Sequence, residues 1–233
     1  MARPGFKKFL RWLIGILACL ILLLTVAIIF KNPILRTAMC WNVKSSTGLK
    51  ANIGKFDLDL GRSELAIADF RIWNSPAFGN SALLDMPEIY FALAPEAAAS
   101  GKVRFKEVRF NLREVNVVQN TNGVTNLELL QKALATNISK SVHLHLKTME
   151  FGGVDKLVVS LGKVNFTDFG NPANNAQIDL GVKEEVAKNL KSEEELQNWA
   201  TALLLRLTIQ QSLSGRSKQS APRALENLMK QLK

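Results

Sequence analysis

Between residues 49 and 120 apolar and polar positions mostly alternate with a period of two, the mark of half-buried strands. Phe56, Leu58 and Leu60 alternate with Lys55, Asp57 and Asp59, and Gly61-Arg62-Ser63 turns the chain. Leu65 and Ile67, then Phe70 and Ile72, make the next strand, which Asn74-Ser75-Pro76 closes; Trp73 reads as a plug at the sheet's end or the lip of a groove. Ile89, Phe91 and Leu93 alternate after Pro87. From Gly101 to Asn120 the apolar positions run Val103, Phe105, then Val108, Phe110, Leu112, then Val115, Val117. The phase therefore slips by one at Asp69 and again between these groups. A slip sends every later side chain to the other face unless a bulge absorbs it. The spacing predicts a bulge at Asp69 and strongly twisted, curved strands.

The period then changes. Asn122-Gly123 signals a turn, and Asn126 is read as the cap of a short helix, Leu127 to Ala135. A second strand block follows: Val142, Leu144 and Leu146; Leu157, Val159 and Leu161; Val164 and Phe166; Ile178, Leu180 and Val182. Ser192 and Glu195 have capping-box spacing, and Leu196, Trp199, Ala200, Leu203 and Leu207 recur on one helical stripe. Beyond Gly215, Leu225, Leu228, Met229 and Leu232 mark a last amphipathic helix with a basic face, expected to pack on the sheet or rest on anionic headgroups.

Upstream, Leu13 to Phe30 is an 18-residue apolar run, about 27 Å of helix and close to the roughly 30 Å of a bilayer core. It is longer than a signal-peptide core and has no small-x-small cleavage site after it, so it reads as an uncleaved signal anchor. Arg3, Lys7, Lys8 and Arg11 precede it, against Lys31 and Arg36 after it. The positive-inside rule puts the N-terminus in the cytoplasm and the remainder across the membrane. Trp12, Leu13 and Phe30 are the anchor residues, and Trp12 and Trp41 stand where interfacial aromatics belong. The expected organisation is a basic N-terminus (1–12), the anchor (13–30), a juxtamembrane segment (31–48), a β-rich domain (49–185) and C-terminal amphipathic helices (190–233).

The formal charge of +10 looks like a nucleic-acid signal until it is located. Residues 1–50 hold eight Lys or Arg and no Asp or Glu, leaving 22 basic and 20 acidic side chains after them. The excess belongs to membrane topology, and no nucleic-acid partner is expected. Cys19 lies inside the apolar run and Cys40 just past it, so no disulfide framework exists. No catalytic motif is present, and neither enzymatic activity nor a cofactor is expected. His143 and His145 project from one strand face and could share a metal, but no further ligand stands at suitable spacing; two half-exposed strand histidines are the simpler reading. Asp57 and Asp59 read as a solvated face.

The signal anchor, Thr47-Gly48 and the strand end Asp69-Phe70-Arg71-Ile72-Trp73-Asn74-Ser75-Pro76 together resemble the amino-terminal module of AsmA-like proteins. The family's strand end has Asn followed directly by Pro; here Ser75 stands between Asn74 and Pro76. Gly123-Val124-Thr125-Asn126-Leu127 is similar to the family's strand-to-helix junction, so Asp69, Asn74, Pro76, Gly123, Asn126 and Leu127 carry the likeness over about Leu13 to Leu130. The resemblance implies a bacterial inner-membrane protein with a periplasmic β-groove, distantly related in architecture to chorein-type bridge-like lipid-transfer proteins. It implies roles in outer-membrane assembly and phospholipid movement, with membrane lipids and other envelope proteins as partners. Family members are much longer, so one unit suits a shuttle, subunit or regulator better than a conduit.

The expected fold is α+β: a transmembrane helix, then a curved, mainly antiparallel, groove-like sheet with amphipathic helices at mid-chain and C-terminus. An apolar trough could shield acyl chains at roughly 0.8 kcal/mol per buried CH₂. Its candidate lining is Phe56, Leu58, Leu65, Ile67, Phe70, Ile72, Phe91, Phe105 and Phe110. A sheet covered by its own helix has the same alternation, and a scaffold subunit of an inner-membrane complex is the competing function.

Overall fold

Long strands with one apolar face need a cover, and here helices from three places in the chain supply it. The computed structural model describes residues 31–141 and 150–213. The anchor run Leu13–Phe30, Trp12, the strand expected around His143 and His145, and the helix expected after Gly215 lie outside them. No helix among the described residues is long and apolar enough to cross a membrane.

Helix α1 (31–47) opens the described chain and stops at Gly48, whose φ of 73° closes the helix end. It falls in the segment read only as juxtamembrane. Strands β1 (Ala51–Asn52), β2 (Lys55–Asp59), β3 (Glu64–Trp73), β4 (Ala82–Leu93) and β5 (Lys102–Gln119) follow, with a four-residue helix α2 (Pro95–Ala98) between β4 and β5. Helix α3 (Asn126–Ser141) then leads towards β6 (Glu150–Asp168), β7 (Ala176–Leu190) and helix α4 (Glu193–Leu213). The fold is α+β with one open, curved sheet in the order β1-β3-β4-β5-β6-β7, β2 also pairing with β3. All neighbours are antiparallel except β5 and β6, which run parallel over their whole length.

Several bounds differ from those expected. The C-terminal helix starts where the capping spacing puts it: Glu195 N–H donates to Ser192 Oγ (3.1 Å), while Glu195 Oε2 accepts from Lys191 N–H (2.7 Å). The sheet continues to Leu190 rather than 185, and α3 runs past Ala135 to Ser141. Strand β4 begins before Pro87 and passes through it, and β5 is one strand despite its two slips.

The bulge expected at Asp69 is absent; a kink stands in its place. The β3–β4 register is the same on both sides, with Ala68 opposite Glu88 and Phe70 opposite Met86, so Asp69 faces Pro87. Lys55 opposite Ala68 and Asn52 opposite Arg71 likewise put Asp69 opposite Gly54. Asp69 instead takes a left-handed φ of 54°, which rotates the chain without adding a residue. Its neighbours rotate with it. Ile53, between β1 and β2, and Phe56 in β2, Ile67 and Phe70 in β3, and Met86 and Ile89 in β4 are pairs three apart, and all pack in one core cluster. The seam continues across the sheet. On the polar face Glu107 pairs with Lys156 above it and Glu114 with Lys163 below it, an odd-to-even change in β5 and the reverse in β6. Two glycines serve the seam: a Cβ on Gly54 would stand 2.8 Å from Asp69 Cβ, and one on Gly162 would overlap the Arg113 carbonyl oxygen. The slips at Asp69 in β3 and after Phe110 in β5 lie at this crease, where β6 and β7 also shift register between Val159 and Lys163. The earlier slip in β5, between Phe105 and Val108, falls instead at a register shift against β4 at Ala92/Leu93. A true bulge occurs at Ile72/Trp73, leaving Leu83 unpaired in the ladder but buried.

Candidate functional site

The apolar face carries two main core clusters. Ile53, Ile67, Phe70, Ile72, Leu83 and Ile89 form the first, covered by Met39, Cys40 and Val43 of α1 and by Leu127 and Leu130 of α3. Val108, Val154, Leu157, Ala187 and Leu190 form the second, covered by Leu196 and Trp199 of α4. Further along α4, Leu203 and Leu207 pack on Val182. The helical stripe read from the sequence is thus the packing face of α4.

Helix cover decides the fate of the trough candidates. Ile67, Phe70 and Ile72 are sealed core residues, and Phe56 and Leu65 pack against them half-buried. Leu58 is half-buried in β2. Phe91, Phe105 and Phe110 form a separate group. Phe91 meets Phe105 at 5.8 Å between ring centroids and Phe110 at 5.5 Å, edge to face. Phe91 and Phe110 touch both clusters, and all three rings are only half-buried. The apolar face is therefore filled under its helices and open to partial contact in the middle.

Two of the motif residues, Asn74 and Asn126, meet at a buried junction, whereas Asp69 stands exposed at the crease. Asn126 Nδ2 donates to Asn74 Oδ1 (2.7 Å) and to the Asn116 carbonyl (2.8 Å), and its Oδ1 accepts from Val118 N–H (3.1 Å). Asn74 Nδ2 in turn donates to Ser81 Oγ (3.2 Å). The side chain read as a helix cap is thus turned to the sheet, and Thr125 Oγ1 caps α3 instead, accepting from Glu128 N–H (3.2 Å). Pro76 opens a one-turn 3₁₀ helix, Gly123 turns the chain with φ 79°, and Leu127 packs in the first core. These roles are structural: the strand end and the helix start are tied together.

The other face is polar. Glu107 accepts from Arg109 Nε (3.0 Å) and Lys156 Nζ (2.9 Å), and these two bonds hold its carboxyl below the ordinary range. Arg109 also pairs with Glu88 at 3.5 Å and lies 4.9 Å above the Tyr90 ring. Glu88, Glu107, Arg109 and Lys156, with Asn111, Ser160 and Glu184, line a depression of about 300 Å³. Glu88, Glu107, Arg109 and Lys156 are paired with one another, and Glu184 adds a third acid at the exposed rim. The sequence shows this face as the charged half of the alternation in β5, but not which partners close it.

At the far end, Asp168 Oδ2 accepts from Asn174 Nδ2 (2.8 Å), and Oδ1 from Asn171 and Gly170 N–H, which together lower its pKa. Among the described residues no three His, Cys, Asp or Glu side chains could hold a metal ion. Cys40 is a free thiol. Comparison with protein-family models, with curated proteins and with solved structures found no match to this chain.

Proposed function

We propose that this chain is a membrane-anchored, extracytoplasmic AsmA-like module that handles phospholipid acyl chains in cell-envelope lipid homeostasis or outer-membrane assembly. In this reading Leu13–Phe30 crosses the bacterial inner membrane once, with residues 1–12 in the cytoplasm and the sheet in the periplasm. The observation that carries the lipid part is the half-buried aromatic group Phe91, Phe105 and Phe110, lying between the cover of α1 and α3 and the cover of α4. Acyl chains bind such a surface through area alone, each buried CH₂ contributing about 0.8 kcal/mol. With Ile67, Phe70 and Ile72 sealed, the contact is a short patch, which suits transient shielding rather than a long conduit.

A photoreactive phenylalanine analogue at Phe105, in the full chain in native membranes, is the test. Capture of phospholipid from Phe105, and little from the same analogue at Ser160 on the polar face, is the expected result. Equal labelling from both positions, or none, overturns the lipid reading.

A second reading has its own observation. Leu204, Leu205 and Ile209 are 50%, 57% and 58% exposed on the outer side of α4, a surface that suits a scaffold subunit of an inner-membrane complex. The analogue at Leu205 would then capture one discrete protein.

A further inference from the structure

Helix α1 has two apolar lines. Met39, Cys40 and Val43 face the sheet. Ile34, Ala38 and Trp41 recur at i, i+4 and i+7 on the opposite side, and all three are exposed, Ile34 at 59% and Trp41 at 68%. A helix that already buries one face has no use in water for a second apolar line. We infer that α1 is an in-plane membrane-surface helix, whose Ile34–Ala38–Trp41 line sits in the headgroup region of the bilayer and holds the sheet against it in a fixed orientation. This rests on the anchor reading of Leu13–Phe30.

Three observations choose a bilayer as the occupant. First, the described part of α1 follows directly on the apolar run that ends at Phe30, so an anchored chain brings α1 out at the interface. Pro33 has no N–H to continue a helical ladder and its ring sterically favours a break there. An unbroken helix standing on end would carry Trp41 about 16 Å from Phe30, out into water; a flat helix leaves it where Trp is favoured. Second, residues 31–50 contain Lys31, Arg36, Lys44 and Lys50 and no acid, which matches anionic headgroups. Third, α1 is clamped to the sheet. Asn32 Nδ2 donates to Asp57 Oδ1 (3.1 Å) and Asn32 Oδ1 accepts from Leu58 N–H (3.2 Å). Leu60, near this clamp at the β2–β3 turn, is a further apolar side chain left 67% exposed. The helix cannot turn without the sheet, so the bilayer sets the orientation of both.

The test reconstitutes the full chain into phosphatidylcholine–phosphatidylglycerol vesicles whose acyl chains carry bromine near the headgroup. Native protein, Trp12→Phe and Trp41→Phe are compared, so that each difference spectrum isolates one tryptophan and leaves Trp73 and Trp199 untouched. A Trp41 difference that is blue-shifted and quenched by about half or more is expected, beside a quenched Trp12. A quenched Trp12 with an unquenched Trp41 overturns the inference and leaves the anchor standing. If neither is quenched, the anchor reading fails and the inference with it. A Trp41 that is unquenched in vesicles yet blue-shifted in native membranes assigns the line to a protein partner and likewise overturns it.

Discussion

Asn126 shows how much one side chain can join. It satisfies Asn74, the Asn116 carbonyl and the Val118 N–H at 4% exposure, so Asn126→Ala leaves three polar groups without their partner. We expect a loss of about 3 kcal/mol by urea denaturation, since each orphaned buried group costs roughly 1–3 kcal/mol. Asn126→Asp should fare no better, because a carboxylate would face two acceptor oxygens. The motif pattern picked out both asparagines, but their contact spans 52 residues and no local spacing encodes it. Asp168 is the acid-sensitive counterpart. Its carboxyl is held down first by Asn174 and then by the Asn171 and Gly170 amides, so its contribution is complete above the ordinary value of 3.8 and fades as pH falls through the lower folded value. Thermal melts should therefore show wild type well above Asp168→Asn at neutral pH, with the gap narrowing only below about pH 4.

For the strands, the crease is the lesson. The alternation already contains it, since every slip was visible as a break in phase. What it lacks is alignment: a single strand cannot say that its slip lies level with its neighbours' slips, and a bulge and a left-handed kink look alike in one dimension. Gly54, opposite Asp69, is the local clue. Asp69→Gly should change stability by less than about 1 kcal/mol, whereas Asp69→Val should cost about 1–3 kcal/mol, because a β-branched side chain resists a φ of 54°. Gly54→Ala should cost a similar amount through its approach to Asp69. Chemical denaturation of the three variants checks both. Helix α1 was missed because its two apolar lines cancel the usual one-sided pattern, although Gly48 marks its end. The stripe on α4 was legible because the Ser192–Glu195 capping spacing marks where that helix starts.

Over the whole molecule, Phe91 and Phe110 are the joint, since each packs on both clusters. Phe110→Ala should cost about 3 kcal/mol and uncouple the halves. Hydrogen exchange would then show β6, β7 and α4 opening at a lower free energy than β1–β4, where wild type opens as one unit. The face chosen for a trough was legible as a face; its sealing was not, because the covering helices come from segments distant in sequence. The parallel pairing of β5 with β6 carries a consequence in time. Every other neighbouring pair in the sheet joins strands close along the chain, so β1 to β5 can assemble by short hairpin and meander closures. The β5–β6 ladder must instead close across pairs such as Glu107 and Lys156, 49 residues apart, and long closures are slow to nucleate. A chain made from its N-terminus would therefore finish its first half before β6 arrives. For that interval the edge of β5, later the middle of the sheet, stands open as the most exposed template the protein ever presents.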